Sequence, residues 1–187
     1  MNKWVPIGCY VMLLAIGLAF VIAGLMIPAK AAFAQHLLAN AWQEAREGKK
    51  QAKPWPWADT WPIAKLTISG ESTLVLSDAA GESLAFGPSH VSGSAMPGTK
   101  GTSVISAHRD THFEVLKKVK LGDVVTLERP DGLTLSYKIQ KTRVLSRPEL
   151  SLPTDAGPDR LILVTCWPFD AVAPNTKKRF VVVGEKY

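Results

Sequence analysis

The chain has 187 residues, 47% hydrophobic and 20% charged, which is enough to bury the core of one domain with an appendage. Its net charge of +6 favours anionic partners, but the basic residues form no long block interleaved with aromatic residues, so we expect no nucleic-acid partner. Of the two cysteines, Cys9 lies in an apolar N-terminal stretch and Cys166 lies far downstream. The globular part therefore lacks an internal disulfide and a thiol-based zinc site, and we expect no bound cofactor.

The N-terminal stretch is long enough to span a bilayer. Residues 5–27 carry no charge, whereas ~20 apolar residues suffice for a transmembrane helix. This length exceeds the ~7–15-residue apolar core of a cleaved signal peptide, although residues 32–34, Ala-Phe-Ala, leave cleavage open as an alternative. The flanking charges do not decide the orientation, because large domains are translocated largely regardless of charge. We predict a transmembrane anchor over residues 1–29.

Residues 30–60 are predicted to form a membrane-proximal helix and a linker. Apolar side chains recur there at three- and four-residue steps, as in an amphipathic helix. Gly48 is a common type of helix end, and the prolines that follow stiffen the linker, which is also rich in tryptophan. The recurring apolar residues are Phe33, Leu37, Leu38, Ala41 and Trp42.

From residue 63 the pattern changes to short segments rich in β-branched residues and separated by turn residues, which is typical of strands. About eight short strands with little helix predict an all-β fold, a closed or nearly closed β-barrel with short helices, over residues 61–187. A capping box at Thr111 and Glu114 predicts a short helix, and residues 86–101 are predicted as a loop. The predicted strands are 63–68, 72–76, 102–107, 124–128, 133–145, 161–166 and 179–184.

Cys166 ends an apolar run that Pro168 terminates. A short run without alternation is typical of a strand buried on both faces, and proline has no N–H for continued pairing. Arg179 begins the next strand, after a loop of roughly 12 residues. If the two strands form an antiparallel hairpin, the end of the first faces the start of the second, and Arg179 lies opposite Cys166.

His108 ends the strand predicted at residues 102–107. If that strand runs parallel to the cysteine strand, the imidazole and the thiol meet at one rim of the barrel. A cysteine nucleophile needs a base or a charge partner, and a developing oxyanion needs a donor such as Arg179. The three residues together fit acyl transfer through a thioester.

Two alternatives remain open from the residues themselves. His108, Asp110 and His112 have the spacing His-x-Asp-x-His, which would suit a metal-dependent hydrolase, although a zinc helix normally carries a glutamate after its first histidine. The other alternative is a non-catalytic, membrane-tethered β-barrel that binds partners, with Cys166 as a small buried hydrophobe. His90, in the glycine-rich loop, is predicted to be a surface residue.

Three blocks of this sequence resemble the sortases, membrane-anchored cysteine transpeptidases. Residues 101–113 resemble the family's histidine block, residues 163–166 its cysteine block and residues 178–184 its arginine block, in the same order and with fitting spacing. The resemblance covers roughly residues 61–187, and the N-terminal helix and aromatic linker are most similar to the proteobacterial subgroup. One departure is Ile162, where the family usually has a threonine; we expect it to point into the core.

The resemblance implies a sortase β-barrel and a role for each matching residue. Cys166 would cleave an LPxTG-like sorting motif between Thr and Gly through a thioester, and His108 would protonate the leaving amine and activate the incoming one. Arg179 would stabilise the oxyanion and bind the motif, and Thr165 would bind substrate as well. The implied partners are a sorting-motif protein and an amine acceptor. The implied location is a single-pass anchor in the inner (cytoplasmic) membrane, with the catalytic domain on the periplasmic side.

Overall fold

The computed structural model describes residues 7–79, 82–146, 158–171 and 176–187. Two 3-10 helices, Ser83–Ala85 and Glu114–Lys118, lie between the strands. The other elements are α1 (Ile7–Arg46), β1 (Pro62–Ile68), β2 (Glu71–Leu76), β3 (Ser89–His90), β4 (Thr102–Ser106), β5 (Val124–Glu128), β6 (Thr134–Ser146), β7 (Arg160–Trp167) and β8 (Lys178–Lys186).

The chain divides into two compact units, Met1–His36 and Leu37–Tyr187. In the first unit α1 exposes its large apolar side chains, and by length and composition α1 could cross a membrane. The segments predicted as an anchor and a following helix form one continuous helix, with Pro28 inside it. The residues after Pro28 are rich in alanine and leucine, the strongest helix formers, so the helix continues.

The end of α1 follows the prediction. Gly48 has a φ of 99°, a left-handed conformation that glycine adopts without a steric penalty. The Lys49 N–H donates to the Glu44 carbonyl at 3.0 Å, and the Gly48 N–H donates to the Ala45 carbonyl at 3.1 Å. This pair of bonds is the Schellman motif, and it satisfies carbonyls that the last helical turn would otherwise leave unpaired.

The eight strands close into a barrel in the order β1-β2-β3-β4-β7-β8-β6-β5, with β5 pairing back to β1. The predicted closed all-β barrel is confirmed. Two neighbouring pairs, β2 with β3 and β4 with β7, are parallel, and the other pairs are antiparallel. Because β4 and β7 run in the same direction, both reach the same rim of the barrel.

The barrel interior holds the main hydrophobic core. On β1 every second side chain is buried, as expected for a strand with one face toward a core. Fully burying one such large apolar side chain contributes about 1.5–3 kcal/mol, so this core fixes the strands and thereby their ends. The largest fully buried core residues include Leu66, Phe113, Leu127, Ile139 and Leu163.

Two local predictions are wrong. The segment predicted as a loop, 86–101, contains the two-residue strand β3, and His90 on that strand is buried, not on the surface. Its Nε2 lies 3.0 Å from the Ala95 carbonyl oxygen and 2.9 Å from the Ser94 hydroxyl. These contacts replace the hydrogen bonds that an exposed ring would make with water.

The predicted capping box is also absent. The residue at the N-cap of the 3-10 helix Glu114–Lys118 is Phe113, and it makes no side-chain cap hydrogen bond. The buried Phe113 ring and a 3.0 Å bond from its N–H to the His108 carbonyl set this turn. The three prolines of residues 147–159 also predict a loop, and most of that segment lies outside the described residues.

Candidate active site

Cys166 and Arg179 lie directly opposite each other in the antiparallel hairpin of β7 and β8. The predicted pairing is therefore confirmed. Residues opposite each other in an antiparallel pair project from the same face of the sheet, with Cβ atoms about 4.5–5.5 Å apart. Cys166 is half-buried and takes part in no disulfide, and Arg179 is also half-buried. The hairpin thus places a thiol beside a guanidinium.

The parallel pair of β4 and β7 brings His108 to the same rim. Thr102 pairs with Arg160 and Ser106 pairs with Val164, a constant offset of 58 residues (160 − 102 = 164 − 106 = 58). The backbone of Ala107 still follows β7, since its N–H donates to the Val164 carbonyl at 3.2 Å. Continuing the offset to residue 108 puts the exposed His108 level with Cys166.

The outer face of these strands is also covered. A second hydrophobic cluster, separate from the main core, occupies this face, and its members are at most 6% exposed. Ile162 belongs to it, on the same face of β7 as Cys166, so the expectation that Ile162 points into the barrel core is wrong: residues 162, 164 and 166 alternate with the core residues. The buried members of the cluster are Val104, Ile162, Val164 and Val181, and the half-buried Val91, Leu145 and Val183 pack against them.

Thr165 faces inward and is 1% exposed. Its hydroxyl donates a 2.8 Å hydrogen bond to the Ala107 carbonyl, one residue before His108. The side chain therefore ties the strand of the thiol to the segment of the histidine. To donate to a substrate, this hydroxyl would have to give up its bond to the Ala107 carbonyl.

Backbone carbonyls hold the Arg179 guanidinium in place. Its Nη1 donates to the Thr176 carbonyl at 2.6 Å and to the Lys178 carbonyl at 2.9 Å. A guanidinium has five N–H donors, so those on Nε and Nη2 are not committed to the described residues. They suit the task of binding a carbonyl oxygen as negative charge develops on it.

His112 lies close enough to His108 for their charges to interact. Burial, and secondarily the charge of His108, lower the pKa of His112 below its ordinary value of 6.5. His112 is therefore mostly neutral at neutral pH. Among the described residues no three potential metal ligands cluster, and these include all of the His-x-Asp-x-His segment.

The barrel sequence matches a known protein family. Residues 65–187 match the model of the sortase domain family. The chain belongs to the sortase family. Sortases are cysteine transpeptidases, and the barrel described above is the sortase barrel.

The relatives include sortases of several classes. Sortase D of Bacillus subtilis (strain 168) is 33% identical over 106 residues, which span 56% of this chain and about half, 52%, of that protein. The sortase C-1 structure from Actinomyces oris is 28% identical with a TM-score of 0.59, covering 67% of this chain and 72% of that one. Sortase A from Corynebacterium diphtheriae, 23% identical with a TM-score of 0.62 over 82% and 84% of the two chains, shares the fold. The likeness to the proteobacterial subgroup stays a prediction.

Sequence reasoning missed two features of this sortase. One is Arg109, a buried arginine next to His108 that bonds to the segment between β7 and β8. The other is a cluster of Trp167, Phe169 and Phe180, whose ring centroids lie 5.3–5.7 Å apart. The aromatic residues are recognisable in sequence, but only the hairpin register shows that they meet behind the Cys166–Arg179 pair.

Proposed function

We propose that this sortase cleaves an LPxTG-like sorting motif between Thr and Gly and transfers the new carboxyl end to an amine. The observation that carries the proposal is the register of three strands, which puts Arg179 opposite Cys166 and His108 level with them. A nucleophile, a proton carrier and an oxyanion donor at one rim are the groups that acyl transfer requires.

Acylation begins with the Cys166 thiolate, which is the nucleophilic form of a cysteine. The sulfur attacks the threonine carbonyl carbon, a C–S bond forms, and the carbonyl electron pair moves to oxygen, where the Arg179 guanidinium stabilises the charge. When the intermediate collapses, the C–N bond to glycine breaks and protonated His108 gives its proton to the leaving amine. The product is a thioester on Cys166.

Transfer follows the reverse path with a new amine. Neutral His108 accepts a proton as the amine attacks the thioester carbonyl, and Arg179 again stabilises the oxyanion. Collapse breaks the C–S bond, forms the new amide and returns Cys166 as the thiolate. With water in place of the amine the same steps give hydrolysis.

Leu145, which is half-buried and paired with Arg179 across β6 and β8, offers apolar surface near the thiol to the leucine and proline of such a motif, at about 25 cal/mol per Å² buried. Val104, Ile162, Val164 and Val181 are already buried and hold the strands behind this surface together. Thr165 supports substrate binding indirectly, through the bond that fixes the backbone between β7 and His108. The sorting-motif protein and an amine acceptor are therefore the partners we assign.

The membrane location belongs to the same proposal. The apolar part of α1 supports an anchor over residues 1–29 in the inner (cytoplasmic) membrane, with residues 30–60 as the membrane-proximal segment. The catalytic domain, residues 61–187, then lies on the periplasmic side, where substrates exported through the membrane are accessible.

The test uses the full chain in detergent micelles, sorting-motif peptides that fluoresce on cleavage, and hydroxylamine as the amine. Cys166→Ala removes all thioester chemistry, and Arg179→Ala lowers kcat by about 10²–10³-fold, as removal of an oxyanion donor does. His108→Ala also lowers kcat strongly, while Cys9→Ala, the matched thiol control, leaves it unchanged. Activity that survives in Cys166→Ala but is lost with a chelator would instead make the protein a metal hydrolase.

A further inference from the structure

Arg109 is a buried charge beside the candidate histidine. It directly follows His108, yet the residue is only 8% exposed. A buried charge is costly unless hydrogen bonds replace its lost water. Its Nη2 donates to the Ala171 carbonyl at 2.5 Å, and its Nη1 donates to the Thr176 hydroxyl at 3.2 Å. Both acceptors lie in the segment between β7 and β8.

The same segment holds the guanidinium of Arg179. Arg109 bonds to the hydroxyl of Thr176, and Arg179 bonds to the carbonyl of Thr176 at 2.6 Å. Thr176 thus links Arg109, which directly follows His108 in the chain, to Arg179, the residue opposite Cys166. The two ends of this connection lie just after β4 and on β8, two strands that are not neighbours in the barrel but both pair with β7.

A second contact supports the same connection at the surface. The Lys117 ammonium lies 3.3 Å from the Asp170 carboxylate and 5.8 Å from the centre of the Phe169 ring. Because Asp170 is largely exposed, solvent screens this ion pair, and it cannot replace the buried contact. Of these two contacts, the buried one made by Arg109 is therefore the stronger.

We propose that Arg109 is a positioning residue that sets the distance between His108 and Arg179 through Thr176. The proposal rests on the proposed function, because it concerns the same three catalytic groups. A displacement of about 1 Å in such a group lowers the rate by roughly 10²-fold, since acyl transfer depends on alignment. The loss falls on kcat, because the change displaces groups that act on the scissile bond and not the apolar side chains near the thiol.

The kinetic test compares Arg109→Gln, Arg109→Lys, Thr176→Val and Thr176→Ser in the full chain. We expect Arg109→Gln to lower kcat by about 10–100-fold with KM within about 2-fold. Arg109→Lys should lose less, because lysine keeps the positive charge but lacks the planar guanidinium that donates to two acceptors. Thr176→Val removes only the hydroxyl and gives a smaller loss that Thr176→Ser avoids. Arg129→Gln is the matched control, since Arg129 pairs with Asp131 in the turn after β5.

The double variant Arg109→Gln/Thr176→Val separates a shared bond from two independent effects. If Arg109 acts through Thr176, the double variant is no slower than Arg109→Gln alone, since each change breaks the same contact. Multiplied losses in the double variant, or a wild-type kcat in Arg109→Gln, would overturn the proposal.

A measurement that needs no substrate separates this proposal from the proposed function. In hydrogen–deuterium exchange of the full chain, Arg109→Gln should speed exchange in residues 107–113 and 167–179 while residues 124–139 keep the wild-type rate. Uniformly faster exchange across the barrel would reduce Arg109 to a general stability role and overturn the proposal. If the wild-type chain processes no peptide, the proposed function fails, whereas the exchange pattern still decides whether Arg109 holds the segment.

Discussion

His112 is coupled by charge to the candidate proton carrier, His108. It lies one turn after His108, is half-buried, and is disfavoured as a cation by burial and by the charge on His108. A neutral imidazole at this position keeps a second positive charge away from the candidate proton carrier. Protonating His112 must therefore cost the folded state free energy.

His112 gives a prediction for the pH dependence of stability. Since folding lowers its pKa below 6.5, the unfolded chain binds more protons than the folded chain between the lowered pKa and 6.5. The stabilising contribution of neutral His112 is thus fully present above pH 6.5, and it is lost as the pH decreases through this window. His112→Asn should flatten that part of the profile, as measured by denaturant unfolding between about pH 5 and pH 7.5. Equal slopes for wild type and variant would contradict the assignment.

The β7–β8 hairpin shows which elements a sequence can predict. The unbroken apolar run before Cys166, the proline after it and the arginine that begins β8 are local signals, and they predicted both the strands and the Cys166–Arg179 pairing. The strand β5 was predicted to the residue, at Val124–Glu128. In each case hydrophobic pattern and turn residues lie within one short window.

Other features depend on contacts that no local window contains. The strand β3 has two residues and exists because β2 and β4 lie beside it, so residues 86–101 looked like an uninterrupted loop. The partners of Arg109 lie 62 and 67 residues away along the chain, and the outward placement of Ile162 depends on the register of β7 in the closed barrel. These parts of the fold and the site were therefore beyond sequence reasoning.

The aromatic cluster behind the hairpin is predicted to stabilise this element. Each aromatic pair contributes about 0.5–1.5 kcal/mol beyond buried area, and Phe169 contacts both Trp167 and Phe180. Phe169→Leu should lower the free energy of unfolding by about 1–3 kcal/mol in urea titrations. Trp57→Leu, at a side chain that is 80% exposed, is the control and should change it by less than about 0.5 kcal/mol. If both changes lowered the free energy of unfolding equally, the aromatic cluster would add nothing to stability.

At the scale of the whole molecule, the chain combines a closed barrel with a long apolar helix. The barrel leaves no free sheet edge, and its parallel β4–β7 pair brings residues from distant parts of the chain to one rim. The exposed apolar side chains of α1 between Tyr10 and Met26 have no described partner in the first unit that would cover them from water. We propose that a bilayer covers this surface.

Arginine substitutions in α1 test the anchor. One arginine at the centre of a transmembrane helix costs about 2.5–3.5 kcal/mol, so Leu14→Arg combined with Leu18→Arg should move the protein from the membrane to the soluble fraction after alkaline extraction. Leu121→Arg is the control, because Leu121 is 67% exposed in the second unit. If the double variant remained with the membrane like the control, α1 would not be the anchor.

The most direct test of the central claim is the intact mass of the full chain after brief reaction with a sorting-motif peptide, followed by digestion to map the adduct. The account predicts a mass increase equal to the mass of the acyl group that ends in threonine, less the thiol hydrogen, and digestion should locate it on Cys166. Hydroxylamine should remove this adduct, and Arg179→Ala and His108→Ala should greatly diminish it. An adduct on Cys9, or peptide cleavage without any adduct in Cys166→Ala, would contradict it.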